Sequence, residues 1–304
     1  MNKHFKKNKV LITGGTGYIG THLTKKLLDD NWEVLLIVRN IDNVNPEYKQ
    51  ELLTIYKIKE NESFEEIISK YEPNIVIHLA SKITGYDTNK GLEDLINSNI
   101  VFGTKIIEAM LKTNVKHFIN TGTYWEHYDN SLYSPVDLYA ASKHAFQVIL
   151  QKYVESNNIK ALTLKLHDTY GPADGRKKII TEFVKAAMTG KELFLSPGYQ
   201  KLNLVHIDDV VQGYMHAVES IMDKKYKGHN EYFLKVNENY NLREIASIIE
   251  DILGKEINIQ WGSIDYKERV IMEPPDVIPI LPGWQPKVQL IEGIQSVIDD
   301  LTRA

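Results

Sequence analysis

The sequence predicts an α/β protein: a doubly wound parallel sheet with a smaller, loop-rich C-terminal domain. Three observations carry that expectation. From Lys9 to about Leu166 short apolar runs alternate with helix-period stretches, the pattern of buried strands covered on both faces by helices. A glycine-rich turn stands between the first run and the first helical stretch. After Gly171-Pro172 the periodic segments shorten and most prolines gather: Pro197, Pro274, Pro275, Pro279, Pro282 and Pro286. At 304 residues, 43% of them hydrophobic, the chain can build one large or two modest domains around a sizeable core.

Strands are expected at residues 10–13, 34–38, 75–79, 118–120 and 162–166, each a short, mainly apolar run. A weaker one is expected at 53–58, after the Asn-rich loop 40–50. Between the first two, Ile19, Leu23 and Leu27 recur on one helical face, with Lys25, Lys26, Asp29 and Asp30 off it. The basic stretch 1–8 reads as a flexible, solvated leader. Residues 9–170 form the first domain, to which 204–225 returns through Val205, Val210, Tyr214 and Val218. Residues 171–203 and 226–304 make the second.

Composition narrows the chemistry. With no cysteine, disulfides, metal-thiolate sites and thiol nucleophiles are excluded. A net charge of −4 gives no basic footprint for nucleic acid. The apolar stretch after the leader is only Val10, Leu11 and Ile12, too short for a signal or a membrane span, so a cytoplasmic protein is expected. The ten histidines show no metal-ligand spacing, and no metal is expected. His78 and His167 sit on apolar strands and read as buried, hydrogen-bonded rings.

The turn Thr13-Gly14-Gly15-Thr16-Gly17-Tyr18-Ile19-Gly20 sits where strand gives way to helix. Gly14, Gly17 and Gly20 at three-residue steps permit a tight turn, close approach of a pyrophosphate, and helix–sheet packing. The phosphates would meet free amides and the positive end of the helix dipole. Inside a strand-turn-helix-strand unit this is the Rossmann-type dinucleotide fingerprint. Nineteen residues beyond Gly20 stands Arg39, where an acidic residue would select NAD. An arginine there suits the 2′-phosphate of NADP, so NADP(H) is favoured over NAD(H).

Tyr139 and Lys143 are four residues apart, one turn along the same helix face. An ammonium beside a phenol favours the phenolate, which equips the tyrosine to pass a proton near neutral pH. Sixteen residues before Tyr139, Thr123 closes the segment Thr121-Gly122-Thr123 after a strand, where ligand-binding groups gather in such sheets.

The glycine turn, His78-Leu79-Ala80, Tyr139 to Lys143, Tyr170-Gly171-Pro172 and Val205-His206-Ile207-Asp208-Asp209-Val210 together resemble the extended short-chain dehydrogenase/reductases of the NAD(P)-dependent epimerase/dehydratase family. Within that family, Asn120 to Thr123 and Leu166 to Gly175 look most like the synthases of CDP-abequose and CDP-paratose. Those enzymes reduce the 4-keto group of a CDP-linked 3,6-dideoxyhexose with NADPH. The resemblance implies that Gly14, Gly17, Tyr18, Ile19 and Gly20 cradle the pyrophosphate. Leu79 and Ala80 would line the adenosine side, Lys143 would bind the nicotinamide ribose, and Asn99 and His167 would stand on the cofactor side. Thr123, Tyr139 and Lys143 would form the catalytic set. Thr123, Trp125, Asp168, Arg176 and Arg269 would meet a nucleotide-diphosphate sugar, the arginines by bidentate contact with phosphate.

Departures from the family pattern are also visible. Gly103 falls one residue later after Asn99 than is usual, and Lys165 and Asp168 replace the family's arginine and asparagine. Tyr124-Trp125 replace the Asp-Glu pair of sugar-nucleotide 4,6-dehydratases, which disfavours water elimination. The expectation is therefore a homodimeric NADPH-dependent reductase of a nucleotide-linked 4-keto-deoxysugar in deoxysugar and polysaccharide biosynthesis. An NAD-dependent epimerase is the alternative, and a non-catalytic dinucleotide sensor the remote one.

Overall fold

The computed structural model describes residues 8–59, 63–83 and 88–303, so the expected leader lies, except for Asn8, outside the described residues. The first strand, β1 (Lys9–Thr13), enters the glycine turn and leads to α1 (Tyr18–Asp29) and β2 (Glu33–Val38). Then follow β3 (Leu53–Lys57), α2 (Glu65–Tyr71), β4 (Ile75–His78), α3 (Asn89–Ile96) and α4 (Phe102–Leu111). β5 (His117–Thr123), α5 (Leu138–Asn157) and β6 (Lys160–Leu166) complete this half.

Six of these strands and His229–Leu234 make one seven-stranded sheet, in the order His229–Leu234, β6, β5, β4, β1, β2, β3. β1 pairs in parallel with β2 on one side and β4 on the other, Ile12 facing Leu36 and Ile77. Val10, Leu11, Ile12, Val34, Leu35, Leu36, Val76 and Ile77 are fully buried, as strands covered on both faces must be. β3 lies at the edge, half exposed, which is why its apolar signal is weak. β5 runs on through Thr123, so the hydroxyls expected just beyond this strand are its last residues.

The order reverses between β1 and β4. In an open α/β sheet that reversal leaves a crevice outside the carboxyl ends of the strands, where ligands bind. The glycine turn after β1, Arg39 after β2 and Leu79-Ala80 after β4 all stand at those ends.

The chain divides into two compact units. The first comprises Met1–Thr123, Leu138–Lys165 and Gly213–Tyr232; the second, Tyr124–Asp137, Leu166–Gln212 and Phe233–Ala304. The chain leaves the first unit earlier than expected, at Tyr124, because Tyr124 packs with Phe233 and Ile278 of the second. It comes back for Leu138–Lys165, and the later return expected at 204 begins at Gly213.

The second unit has its own core, with Ile180, Phe183, Val184, Ile245, Ile249, Ile294 and Val297 at its centre. Asp209 staples this unit together. It is 2% exposed, its carboxylate accepts the amides of Lys287 and Val288, and its carbonyl accepts the Trp284 indole N–H. That accounts structurally for an aspartate where a buried charge would otherwise be costly. No helix among the described residues is long and apolar enough to cross a membrane.

Candidate active site

The glycine turn divides its three key residues by physical role. Gly14 has φ +73°, and a Cβ there would lie 2.6 Å from the Ala80 amide nitrogen. A Cβ on Gly20 would lie 2.2 Å from the Gly14 carbonyl oxygen. Backbone packing alone demands glycine at both. Gly17 differs: its φ of −82° suits any residue, and the nearest atom to a Cβ would be the Gly14 oxygen at 3.4 Å. Nothing in the chain requires glycine there, so its missing side chain leaves room over the first turn of α1 for a ligand.

The first intrahelical bond of α1 is Thr21 N–H to the Gly17 carbonyl, which places the preceding amides outside the helical ladder. The helix carries no side-chain cap and no acidic residue in its first turn. This is an anion cradle, and a dinucleotide pyrophosphate fits it. Gly20→Ala is expected to lose dinucleotide binding by more than tenfold and to lower the melting temperature by several degrees. Binding and melting at the parent values would show that the turn yields to the added methyl.

The loop after β4 is fastened to β1. Leu79 N–H donates to the Thr13 carbonyl at 3.0 Å, and the Thr13 hydroxyl meets His78 Nδ1 at 2.7 Å. His78 is fully buried among Phe102, Phe118 and Phe146. Burial, and secondarily the Lys143 ammonium, hold its imidazole down to about 3. It is a neutral fastening, not an acid–base group.

Asn99 departs from its expected part. Its carboxamide accepts the Lys82 amide at 2.7 Å and donates to the Lys82 carbonyl and the Ser142 hydroxyl, each at 2.9 Å. The side chain is committed within the protein, tying the loop after β4 to α5 rather than reaching for a cofactor. The late Gly103 is explained at the same place. Residues Asn97–Val101 form a π-helical turn between α3 and α4, which absorbs one extra residue. Gly103 therefore still packs on Phe146, whose ring a Cβ would approach to 2.5 Å.

Tyr139 and Lys143 lie in the first two turns of α5, Lys143 being 1% exposed, and Thr123, at the end of β5, is 7% exposed. Ser142 caps its own turn by donating to the Tyr139 carbonyl at 2.7 Å. One neighbour escaped the sequence reading. Tyr214 is fully buried, its hydroxyl 2.7 Å from that of Thr121. Burial pushes its phenol far up, with a smaller push from Tyr139. Its only sequence signal was an apolar helical period, which does not distinguish a core tyrosine from a site tyrosine.

The remaining expected residues belong to the second unit. Tyr124 donates to Asp168 at 2.7 Å, and burial followed by that carboxylate pushes its phenol far up. Lys178 stands 3.9 Å from the other Asp168 oxygen, and Trp125 meets Tyr124 edge-on at 6.3 Å. His167, expected as a hydrogen-bonded ring, is held by aromatic packing. It stacks on Tyr124 at 4.6 Å and meets Phe233 at 4.9 Å, and among the described residues neither ring nitrogen has a hydrogen-bond partner. Burial drives its imidazole well below its ordinary value.

Arg176 is also reassigned. Nε and Nη2 both bind the buried Asp174 carboxylate at 2.7 Å, so the guanidinium holds a local turn. That acidic partner two residues upstream was readable in the sequence. Arg269 has both protein contacts and, among the described residues, a free donor. It donates to Ser134 at 2.6 Å and lies 4.2 Å over the Tyr128 ring, while its buried Nε has no hydrogen-bond partner among the described residues.

A glycine cradle at a switch point, with threonine, tyrosine and lysine on β5 and α5, defines an enzyme of the extended short-chain dehydrogenase/reductase type. Residues 10–231 match the model of the NAD dependent epimerase/dehydratase family, and the chain belongs to that family. It is 32% identical to a CDP-abequose synthase of Yersinia pseudotuberculosis over 270 residues, 88% of this chain and 91% of that one. A CDP-abequose synthase of Salmonella muenchen is 24% identical, covering 95% and 97%. The solved UDP-glucose 4-epimerase of Thermotoga maritima shares the fold, with a TM-score of 0.82 at 20% identity, covering 97% of this chain and 99% of that one.

Proposed function

We propose that the protein is an NADPH-dependent reductase acting on the 4-keto group of a nucleotide-linked deoxysugar, of the CDP-3,6-dideoxyhexose type. The observation that carries this reading is twofold: the Tyr139 and Lys143 pair on α5 is intact, and the Tyr124 that follows Thr123 has its hydroxyl committed to Asp168. The chain keeps the groups for carbonyl reduction and lacks, after Thr123, the acid and base that dehydration needs. Likeness to the CDP-abequose synthases over most of the chain supports the substrate class.

The cradle over α1 would hold the pyrophosphate, Leu79 and Ala80 the adenosine, Lys143 the nicotinamide ribose, and Arg39, exposed directly after β2, the 2′-phosphate. When bound, the cofactor supplies the reducing equivalent to the carbonyl carbon. Tyr139 gives the proton to the carbonyl oxygen as it becomes an alkoxide, Thr123 orients that oxygen by hydrogen bonding, and Lys143 stabilises the phenolate left behind. Arg269 has an unsatisfied donor suited to the substrate diphosphate. We also infer a cytoplasmic homodimer formed through the π-helical turn that carries Asn99 and through α5, where Val101, Leu138 and Val148 are exposed.

The decisive assay offers CDP-, GDP-, UDP- and dTDP-linked 4-keto-6-deoxysugars and follows NADPH oxidation. Turnover of the CDP sugars is expected. Turnover without added reductant, by protein that copurifies with NAD, would replace this reading with epimerisation. In Arg39→Ala, loss of one charge-assisted phosphate contact, about 1.5–3 kcal/mol, should weaken NADPH binding by roughly 10- to 100-fold and leave NADH binding unchanged. Equal loss for both cofactors would remove Arg39 from phosphate recognition.

A further inference from the structure

The face of α5 that carries Tyr139 and Lys143 does not end with them. Gln147 and Gln151 continue the same four-residue step, and each reaches across to the sheet. Gln147 donates to Glu231 at 2.9 Å, and the same carboxylate oxygen takes the Lys165 ammonium at 2.9 Å. Lys165 is 1% exposed and Glu231 37%. One helical turn further, Gln151 meets His229 Nδ1 at 2.9 Å, His229 Nε2 meets the Thr163 hydroxyl at 2.7 Å, and Asn120 donates to that hydroxyl at 3.2 Å.

These contacts form two parallel rungs. Thr163 and Lys165 are two apart on β6, as are His229 and Glu231 on His229–Leu234, so each pair shares one face of the sheet. Asn120 extends the second rung to β5. The second rung also has a fixed polarity. The Gln151 atom that faces the ring is its amide oxygen, which only accepts, so His229 Nδ1–H donates to it, Nε2 accepts the Thr163 proton, and the Thr163 oxygen accepts from Asn120. Only a neutral imidazole does this, and burial holds His229 down to about 4.

Apolar packing of Phe146 and Leu150 holds α5 to the sheet but is non-directional and tolerates sliding. Hydrogen bonds at defined residues do not. We propose that this two-rung seam fixes the axial register of α5 on the sheet, and with it the placement of Tyr139 and Lys143 relative to Thr123. Gln147, Glu231 and Lys165 are then positioning residues for proton donation, an assignment that rests on Tyr139 being the donor.

The test is an exchange of partners. Gln147→Glu sets two carboxylates against each other, and Glu231→Gln leaves the Lys165 ammonium without its anion. Together, Gln147→Glu/Glu231→Gln restores one amide, one carboxylate and one ammonium. Misplacing a catalytic group by about 1 Å costs on the order of 100-fold. Each single variant should therefore lose roughly 10- to 100-fold in kcat, measured on the nucleotide sugar that turns over best. KM for the sugar should stay within about threefold, and the exchanged pair should recover kcat to within about threefold.

Gln151→Met removes one bond of the second rung and gives a milder variant should the buried ones fail to fold. It should lower kcat severalfold at unchanged KM. Parent kcat in the folded variants, or losses that track melting temperature and are not recovered by the exchange, would overturn the proposal. Seam variants at parent kcat with a dead Tyr139→Phe would sink the seam alone. An active Tyr139→Phe would sink the reading beneath it.

Discussion

Tyr139→Phe should bind NADPH within about twofold of the parent and turn over roughly 10³-fold more slowly, the scale on which a positioned general acid contributes. The substitution removes one oxygen and keeps the ring. The bond from Ser142 to the residue 139 carbonyl is to backbone and persists, as does the buried Lys143. Nor does the neighbouring phenol substitute. Tyr214 is held by Thr121 and pushed far up by burial, so it remains protonated and enclosed. Single-turnover reduction of the keto-sugar, set beside an equilibrium titration with NADPH, separates the two effects. Reduction at the parent rate would remove the phenol from the chemistry.

Acid is expected to destabilise the fold steeply, and the cause is three histidines rather than carboxylates. Burial holds His229 down to about 4, His78 to about 3, and His167 well below its ordinary value. Unfolded, each takes a proton near 6.5, so below that pH the unfolded chain binds more protons than the folded one and stability falls with pH. Above about 6.5 the three add no slope. Within the window each contributes about 1.4 kcal/mol per pH unit. Urea unfolding at three pH values from neutral to mildly acidic measures the slope. His167→Phe, whose ring should stack equally well between Tyr124 and Phe233, should remove about a third of it. An unchanged slope in that variant would show that His167 already accepts a proton in the fold.

Much of the sheet was legible because its strands are buried on both faces and therefore read as unbroken apolar runs; Val10 to Ile12 and Val34 to Leu36 admit little else. The cofactor turn was legible for a different reason: Gly14 and Gly20 answer to backbone clashes a few residues away, and local constraints leave local spacing. The seam under α5 left none. Gln147 and Glu231 are 84 residues apart, and Gln151 and His229 are 78 apart; only the strand order brings them together. Arg176 is the opposite case: the sequence offers it to a substrate diphosphate, yet the carboxylate that binds it stands only two positions upstream. The late Gly103 after Asn99 has a local cause that spacing does not show, a single π-turn, and the Asn99 side chain is bound to Ser142.

The sheet's strand order also has a consequence for a chain emerging from the ribosome. β6 ends at Leu166, yet the strand that covers its outer edge begins only at His229. Translation at roughly 5–20 residues per second leaves that edge uncovered for several seconds, while Leu166–Gln212 of the second unit is being made. During that interval β6 presents unpaired backbone to any neighbouring nascent chain. The burial of Lys165 in that strand then has a second value. Until Glu231 arrives to neutralise it, an uncompensated ammonium on β6 opposes pairing with a second copy, and the same charge that later anchors the helix guards the open edge first.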